Sequence, residues 1–419
     1  MTTIRVPKNL GDKDLSDFFV RWNWLPANKG KATIDMTESS FLAPWAVTLF
    51  GIYSLWLMEQ QGCTLDVRVD PTTRSGSYVI QSGLFDLLGL VTPSGFTIID
   101  DSRTATLHRV EQSSDIPVFA ESVMELLKVE DIELEGAVKY SLIELLRNIV
   151  QHSRSPIGGV AMAQYFPTTG IVEIAVADMG VGVRETLIPR YPTLRDDLAA
   201  LKFALMPHVS GTFAKSAYGS MRDNAGLGLF FIKEIATRGN GGFFLGSGNR
   251  LVNLWGHEDG SDGKRYQIAT MGGWNGTFAV LQLRRDGIGD FDSLLAVCRE
   301  LAAEARRDPT ESSLDFIDAI PDLPGLQVVR IKEFEENVDR AAEVRESVII
   351  PAIEKEQLVI LDFSGISFAT QSFVHACMYR VLRDFPSSAY TLSLNGASKA
   401  TKEAIRSVAA YARSRKEFN

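Results

Sequence analysis

Cysteine is scarce in this chain. Cys63, Cys298 and Cys377 are the only three among 419 residues, and no two form a CxxC pair. That spacing offers neither a zinc site nor a disulfide framework, and it fits a reducing cytoplasm. Positive charge is not in excess either: 43 Lys and Arg face 52 Asp and Glu, a formal net charge of −9. The balance argues against a general nucleic-acid binder and against a polybasic membrane-surface protein. Of the five histidines, His208, His257 and His375 show no metal-ligand spacing, and His108 reads as an ordinary surface histidine. The first residues, MTTIRVPKNLGDKDL, lack the apolar core of a signal peptide. Long hydrophobic runs are absent with one exception, the uncharged 18 residues from Phe41 to Met58. That length is the lower limit for a bilayer span. Pro44, Thr48, Gly51, Tyr53 and Ser54 dilute the run, a strand-like LDVRV follows, and no Lys or Arg cluster flanks it. The run therefore reads as a buried core helix.

What is present is an ordinary globular balance, 45% hydrophobic and 23% charged, in a chain long enough for two or three domains. Near the N-terminus, ATIDM (32–36) reads as a buried strand. Thr37 to Ser40 offer caps for a helix that Pro44 can open and Gly62 stops, and a strand follows at Leu65 to Val69. The same plan recurs near the C-terminus: LVILDF (358–363), a helix from Gln371 to Asp384, then TLSLN (391–395). Asp35 matches Asp362, Phe41 matches Phe368 and Leu65 matches Leu392 at one constant offset, without a gap. Two related α/β modules thus flank a different centre.

The centre carries the chemistry. Glu144, Asn148 and His152 recur every four residues on a predicted helix from Tyr140 to His152, so one face presents a carboxylate, an amide and an imidazole in a row. A carboxylate is a base toward water or a hydroxyl, and an amide oxygen suits magnesium. Asp178-Met-Gly180-Val-Gly182 ends the apolar strand IVEIAVAD (171–178). A carboxylate there can accept from an exocyclic amine, and glycines let the backbone approach a ligand closely. Asn224-Ala-Gly226-Leu227-Gly228 opens a helix to Arg238, where bare backbone N–H groups make a phosphate site. Strands follow at FFLG (243–246) and TFAVLQL (277–283), then a charged helix from Phe291 to Arg307 in linker-like surroundings. Each motif alone has a plain reading: a polar helix edge, a tight turn, a flexible loop.

In this order and spacing, closed by Gly276-Thr277, the motifs resemble the GHKL ATPase domain shared by histidine kinases, gyrase, Hsp90 and MutL, over residues 116 to 290. The resemblance implies an α/β sandwich of the Bergerat fold that binds ATP and Mg2+. Asn148 then ligates magnesium, Asp178 reads adenine, and Gly180, Gly182, Gly226 and Gly228 shape the pocket. Residues 184 to 225 form a lid carrying Ser210, Gly211 and Thr212, with Lys215 and Arg222 as phosphate contacts. Glu144 stands where hydrolytic members and anti-sigma serine kinases have their general base, and Asn148 followed by His152 looks most like the anti-sigma version. The long lid and the flanking modules depart from those small kinases. A sensor histidine kinase needs a phosphoacceptor on a long upstream helix, and His108, in TATLHRVEQSSDIP, has no such setting.

The C-terminal module, carried by LVILDFSGISFATQSFVHACMYRVL with Arg340 and Arg345 on the preceding helix, resembles the STAS-like domain found beside GHKL ATPases. The N-terminal module resembles a more diverged one. In anti-sigma systems a STAS serine at the helix start accepts phosphate, and Ser372 holds that place here; Trp45 holds it in the first copy. Ser372 also reads as a plain helix cap. The expected organisation is an N-terminal module (1–115), the ATP-binding domain (116–290), a helical connector (291–319) and a C-terminal module (320–419). Three functions follow: an ATP-driven switch acting on a protein partner through the modules, a serine/threonine protein kinase, or a nucleotide sensor without catalysis. The resemblance also suggests a homodimer.

Overall fold

The structure is a computed structural model. It describes residues 2–11, 30–98, 104–127, 132–191, 196–207, 227–256, 265–307, 314–321, 325–334, 336–355, 357–385 and 392–414, together with 15, 18, 19, 22, 194 and 209. The chain is α/β, with parallel and antiparallel sheets in separate units.

The N-terminal unit begins with β1 (Thr2–Arg5), β2 (Asn9–Leu10), β3 (Lys31–Asp35), β4 (Phe41–Leu42), helix α1 (Pro44–Glu59) and β5 (Thr64–Arg68). Strands β1, β3 and β5 form a parallel sheet in that order. Helices α2 (Arg74–Gln81) and α3 (Leu84–Leu87) follow. Of the 16 residues of α1, only Trp56, Met58 and Glu59 are not buried. A helix apolar all round must be covered on every side. Here the parallel sheet covers one side and the central sheet the other. Thr48 and Ser54 donate to the carbonyls of Pro44 and Phe50 at 2.9 and 2.6 Å, which satisfies their hydroxyls inside the helix. Among the described residues no helix is long and apolar enough to cross a membrane.

The centre is a five-stranded antiparallel sheet of β6 (Thr104–Val110), β7 (Gly159–Phe166), β8 (Ile171–Asp178), β9 (Gly242–Trp255) and β10 (Arg265–Arg284), in the order β6-β7-β8-β10-β9. One face packs helices α4 (Asp115–Leu127), α5 (Ile132–Asn148), α6 (Gly182–Leu187), α7 (Asp197–Ala204), α8 (Gly228–Arg238) and α9 (Phe291–Arg307). The other face packs the N-terminal unit, where Phe19 stacks on Phe278 at 4.2 Å between ring centroids. Such a pair is worth about 1 kcal/mol beyond its buried area.

Thr37 to Ser40 do not cap α1. Thr37 is held by Asp35 instead, and the N-cap is Ala43, which has no side-chain acceptor. The cap comes from β8: buried Glu173 accepts the Trp45 N–H at 3.0 Å and Gln282 Nε2 at 3.0 Å. A carboxyl oxygen at a helix start satisfies one of the N–H groups that the helix leaves unpaired. Glu173 thereby joins the two layers.

The C-terminal unit contains β11 (Asp315–Ile317), β12 (Gln327–Arg330), α10 (Val338–Val344), α11 (Ile350–Glu354), β13 (Val359–Asp362), α12 (Gln371–Asp384), β14 (Leu392–Asn395) and α13 (Lys399–Ser414). Its sheet is parallel, in the order β11-β14-β13-β12. The constant offset between the two flanking units reaches backbone detail. Asp35 Oδ1 accepts the Thr37 N–H at 3.1 Å, and Asp362 Oδ1 accepts the Ser364 N–H at 3.0 Å. The N–H groups of Met36 and Phe363 donate to Arg68 and Asn395 at 2.8 Å in both units.

Two expected boundaries fall elsewhere. Strand β6 precedes residue 116 yet pairs with β7, and β11 precedes residue 320 yet pairs with β14. Cys63, Cys298 and Cys377 are buried in three different cores.

Candidate functional site

Helix α5 buries Leu134, Ala137, Val138, Leu142, Leu145 and Leu146 against the sheet. Glu144 and Asn148 lie on its half-buried side. The α-helix ends at Asn148 rather than at His152. Residues Ile149–Ser153 form a π-helical turn, closed by Arg154 in the left-handed region at φ 51°. The wider turn places His152 off the simple four-residue stripe, and such turns recur at functional sites. Asn148 Nδ2 and His152 Nδ1 are buried and have no hydrogen-bond partner among the described residues. A buried donor left unpaired costs about 1–3 kcal/mol, so both groups call for a ligand or water. Burial, aided by the Arg154 charge, pushes the His152 pKa down, which keeps the ring neutral.

The Asp178 turn packs against that π-helical turn. The Val181 N–H donates to Ser153 O at 2.8 Å, and Thr186 Oγ1 donates to His152 O at 3.2 Å. Asp178 ends β8 at 5% exposure, and its Oδ1 accepts the N–H groups of Gly180 at 2.8 Å and Thr277 at 3.3 Å. A side chain at Gly180 would put Cβ 1.9 Å from Ser153 O, so only glycine fits. Gly182 has φ 79° and opens α6 beneath Ser247. On the far side of α5, a Cβ at Gly228 would lie 2.6 Å from Glu144 Oε2. Glu144 Oε1 is held by Arg147 Nη1 at 2.5 Å. The structure thus places Asp178, Gly180, Gly182 and Thr277 beside the π-helical turn that carries His152, and Leu227 and Gly228 beside Glu144 earlier on α5, with Asn148 between the two contacts along the chain.

Burial pushes the Asp178 pKa up to about 7, against the pull of the Gly180 and Thr277 N–H groups. A carboxyl raised from 3.8 binds its proton more tightly in the folded chain. Its contribution is fully present below pH 3.8 and is lost as pH rises through about 7. Asp178→Asn, a neutral shape mimic, is expected to melt with the wild type at pH 4. At pH 8 it should exceed the wild type by up to about 4 kcal/mol. Equal melting midpoints at pH 8 would contradict the buried carboxylate.

No family model, no curated protein and no solved structure matches this chain.

Ser210, Gly211, Thr212, Lys215, Arg222, Asn224 and Gly226 lie outside the described residues. Within the expected lid, α6 and α7 are packed into the core through Val183, Leu187, Leu198 and Leu201. Ser372 stands on α12, in a different unit from the other candidates. It is exposed and does not cap the helix: Thr370 is the N-cap, accepting the Phe373 N–H at 3.3 Å. Glu336 in turn accepts from Thr370 N at 2.8 Å and Thr370 Oγ1 at 2.6 Å. His108 is partly buried on β6 and stacks on Phe119 at 4.7 Å.

Sequence reasoning missed two supports. Ser247 Oγ accepts the Val183 N–H at 3.0 Å and donates to Gly276 O at 2.7 Å, which ties the Asp178 turn to β10. Trp274 Nε1 donates to Asp178 O at 3.0 Å. A lone serine in a strand carries no pattern, whereas Trp274 stands two residues before the Gly276-Thr277 pair and was within reach.

Proposed function

We propose that the central unit binds ATP with magnesium and that the protein is a nucleotide-dependent switch acting on a protein partner through its flanking α/β units. One observation carries this reading. Three sequence motifs separated by up to 84 residues pack along one helix and its π-helical end, Gly228 against Glu144 and the Asp178 turn against Ser153, and the stretch between carries Asn148 Nδ2 and His152 Nδ1, buried and without a partner among the described residues.

The residues fit the ligand. Asp178 offers a buried acceptor with both neighbouring N–H groups already placed on Oδ1, which leaves Oδ2 for an exocyclic amine. Asn148 would hold magnesium, which takes one or two protein oxygens and keeps water and phosphate for the rest. The N-terminus of α8 at Gly228 suits phosphate. Glu144, beside it, would take the proton from water. The domain is then of the GHKL type, with flanking units of STAS-like plan.

A second reading, a serine/threonine protein kinase, is favoured by the exposed Ser372, which the helix does not need as a cap. Purified protein with γ-labelled ATP and magnesium separates the two. Free phosphate without label on the chain is expected for the switch. Label retained on the chain and lost in Ser372→Ala would replace it with the kinase. No nucleotide bound at millimolar ATP would remove both.

A further inference from the structure

Lys202 is a buried charged residue that the candidate site does not use. It lies on α7, is 7% exposed, and its ammonium faces the C-terminal unit. Lys202 Nζ donates to Asp315 Oδ2 at 2.6 Å and to Ser393 Oγ at 3.0 Å. Ser393 Oγ donates to the same Asp315 Oδ2 at 2.5 Å. Asp315 and Ser393 are register partners on β11 and β14, so their side chains stand together on one face of the C-terminal sheet. One lysine of the central unit thus reaches two adjacent strands of another unit.

The other end of the connection is the nucleotide site. Helix α6 starts at Gly182, the last glycine of the Asp178 turn, and packs against α7. Asp196 caps α7 by accepting the Ala199 N–H at 2.7 Å, and Asp197 Oδ2 accepts the Asn249 N–H on β9 at 2.9 Å. Tyr191, between the two helices, meets Phe203 edge to face at 4.6 Å. The Asp178 turn and Lys202 are thereby joined through helices packed on one another.

A buried ammonium cannot drift part-way out of such a pair. Leaving one partner buried and uncompensated is strongly unfavourable, so the contact is either made or replaced as a whole. Coupling between distant sites requires an element with two discrete arrangements, and an all-or-none contact of this kind is suited to that part.

We propose that Lys202, with Asp315 and Ser393, is the latch through which nucleotide occupancy at Asp178 is transmitted to the C-terminal unit. The inference rests on the nucleotide reading of the site. It assigns the route by which that site acts on the unit that would meet a partner.

The test uses the full chain and two measurements, ATP binding and amide hydrogen exchange in β11 and β14, with and without ATP and magnesium. Lys202→Met alone strands Asp315, so the double variant Lys202→Met/Asp315→Leu accompanies it. Replacing a buried ion pair by apolar side chains of similar volume keeps folds intact. In the wild type, ATP is expected to change exchange in β14 by about fivefold or more, the scale of ordinary coupling. In the double variant ATP should still bind while β14 no longer responds. ATP bound with β14 unresponsive in the wild type, or responding equally in the double variant, overturns the latch and leaves the nucleotide site standing. A wild type that binds no ATP overturns the nucleotide reading and the latch with it.

Discussion

Asp178→Ala is expected to weaken ATP binding about 100-fold, the scale of a lost buried hydrogen bond to a charged acceptor together with its neighbours' support. Alanine removes the acceptor and also orphans the N–H groups of Gly180 and Thr277, which both point at Oδ1. Asp178→Asn separates these effects. Two backbone donors fix the asparagine oxygen at the Oδ1 position, so its NH2 group must take the Oδ2 position. There it meets the exocyclic amine of adenine donor to donor. The turn survives and recognition fails. The same variant is expected to gain stability at pH 8, so lost binding in it is no sign of unfolding. Calorimetric titration with ATP decides. Binding in Asp178→Asn within about threefold of the wild type, less than 1 kcal/mol, would mean that Asp178 does not read the base.

Glu144→Gln should lower phosphate release about 100-fold or more, the usual contribution of a general base, with ATP affinity unchanged. Gly228→Ala probes the same carboxylate from the opposite helix. Its Cβ would lie 2.6 Å from Glu144 Oε2, the mobile end of a side chain, so the carboxylate swings away and the backbone stays. The expected result is a chain that still folds and hydrolyses slowly. A Glu144→Gln enzyme as fast as the wild type would rule out Glu144 as the base. A fast Gly228→Ala enzyme would show that the two helices do not share the site.

Much of the local structure was legible because its causes are local. The Phe41 to Met58 run carries no charge and is broken by hydroxyls that bond their own helix, so a buried helix at Pro44–Glu59 was readable from composition and length. The helix Gln371–Asp384 begins and ends where its periodicity does. The Asp178 turn was readable because its glycines follow an apolar strand at once, although the contact that demands glycine at 180 is with Ser153 O, 27 residues earlier.

What was missed depended on partners far along the chain. The cap of α1 is Glu173, 128 residues away, and no property of Thr37 to Ser40 announces that they are not needed. Strand β6 joins the central sheet because β7 offers it an open edge, which its own sequence TATLHRV does not reveal. The π-helical turn at Ile149–Ser153 follows from packing against the Asp178 turn, since a propensity scale does not distinguish it from an α-helix.

The sequence by itself determined the helices Pro44–Glu59 and Gln371–Asp384, the strand that ends at Asp178, the repeated plan of the two flanking units, and the residue types that could meet a nucleotide, because those depend on periodicity and short-range sterics. Only the tertiary structure decided that Asn148 and His152 hold buried atoms without partners among the described residues, that the N-terminal unit covers the back of the central sheet, and that Lys202 meets Asp315 and Ser393 rather than solvent. Each of those is a matter of desolvation, which has no value until distant segments exclude water together.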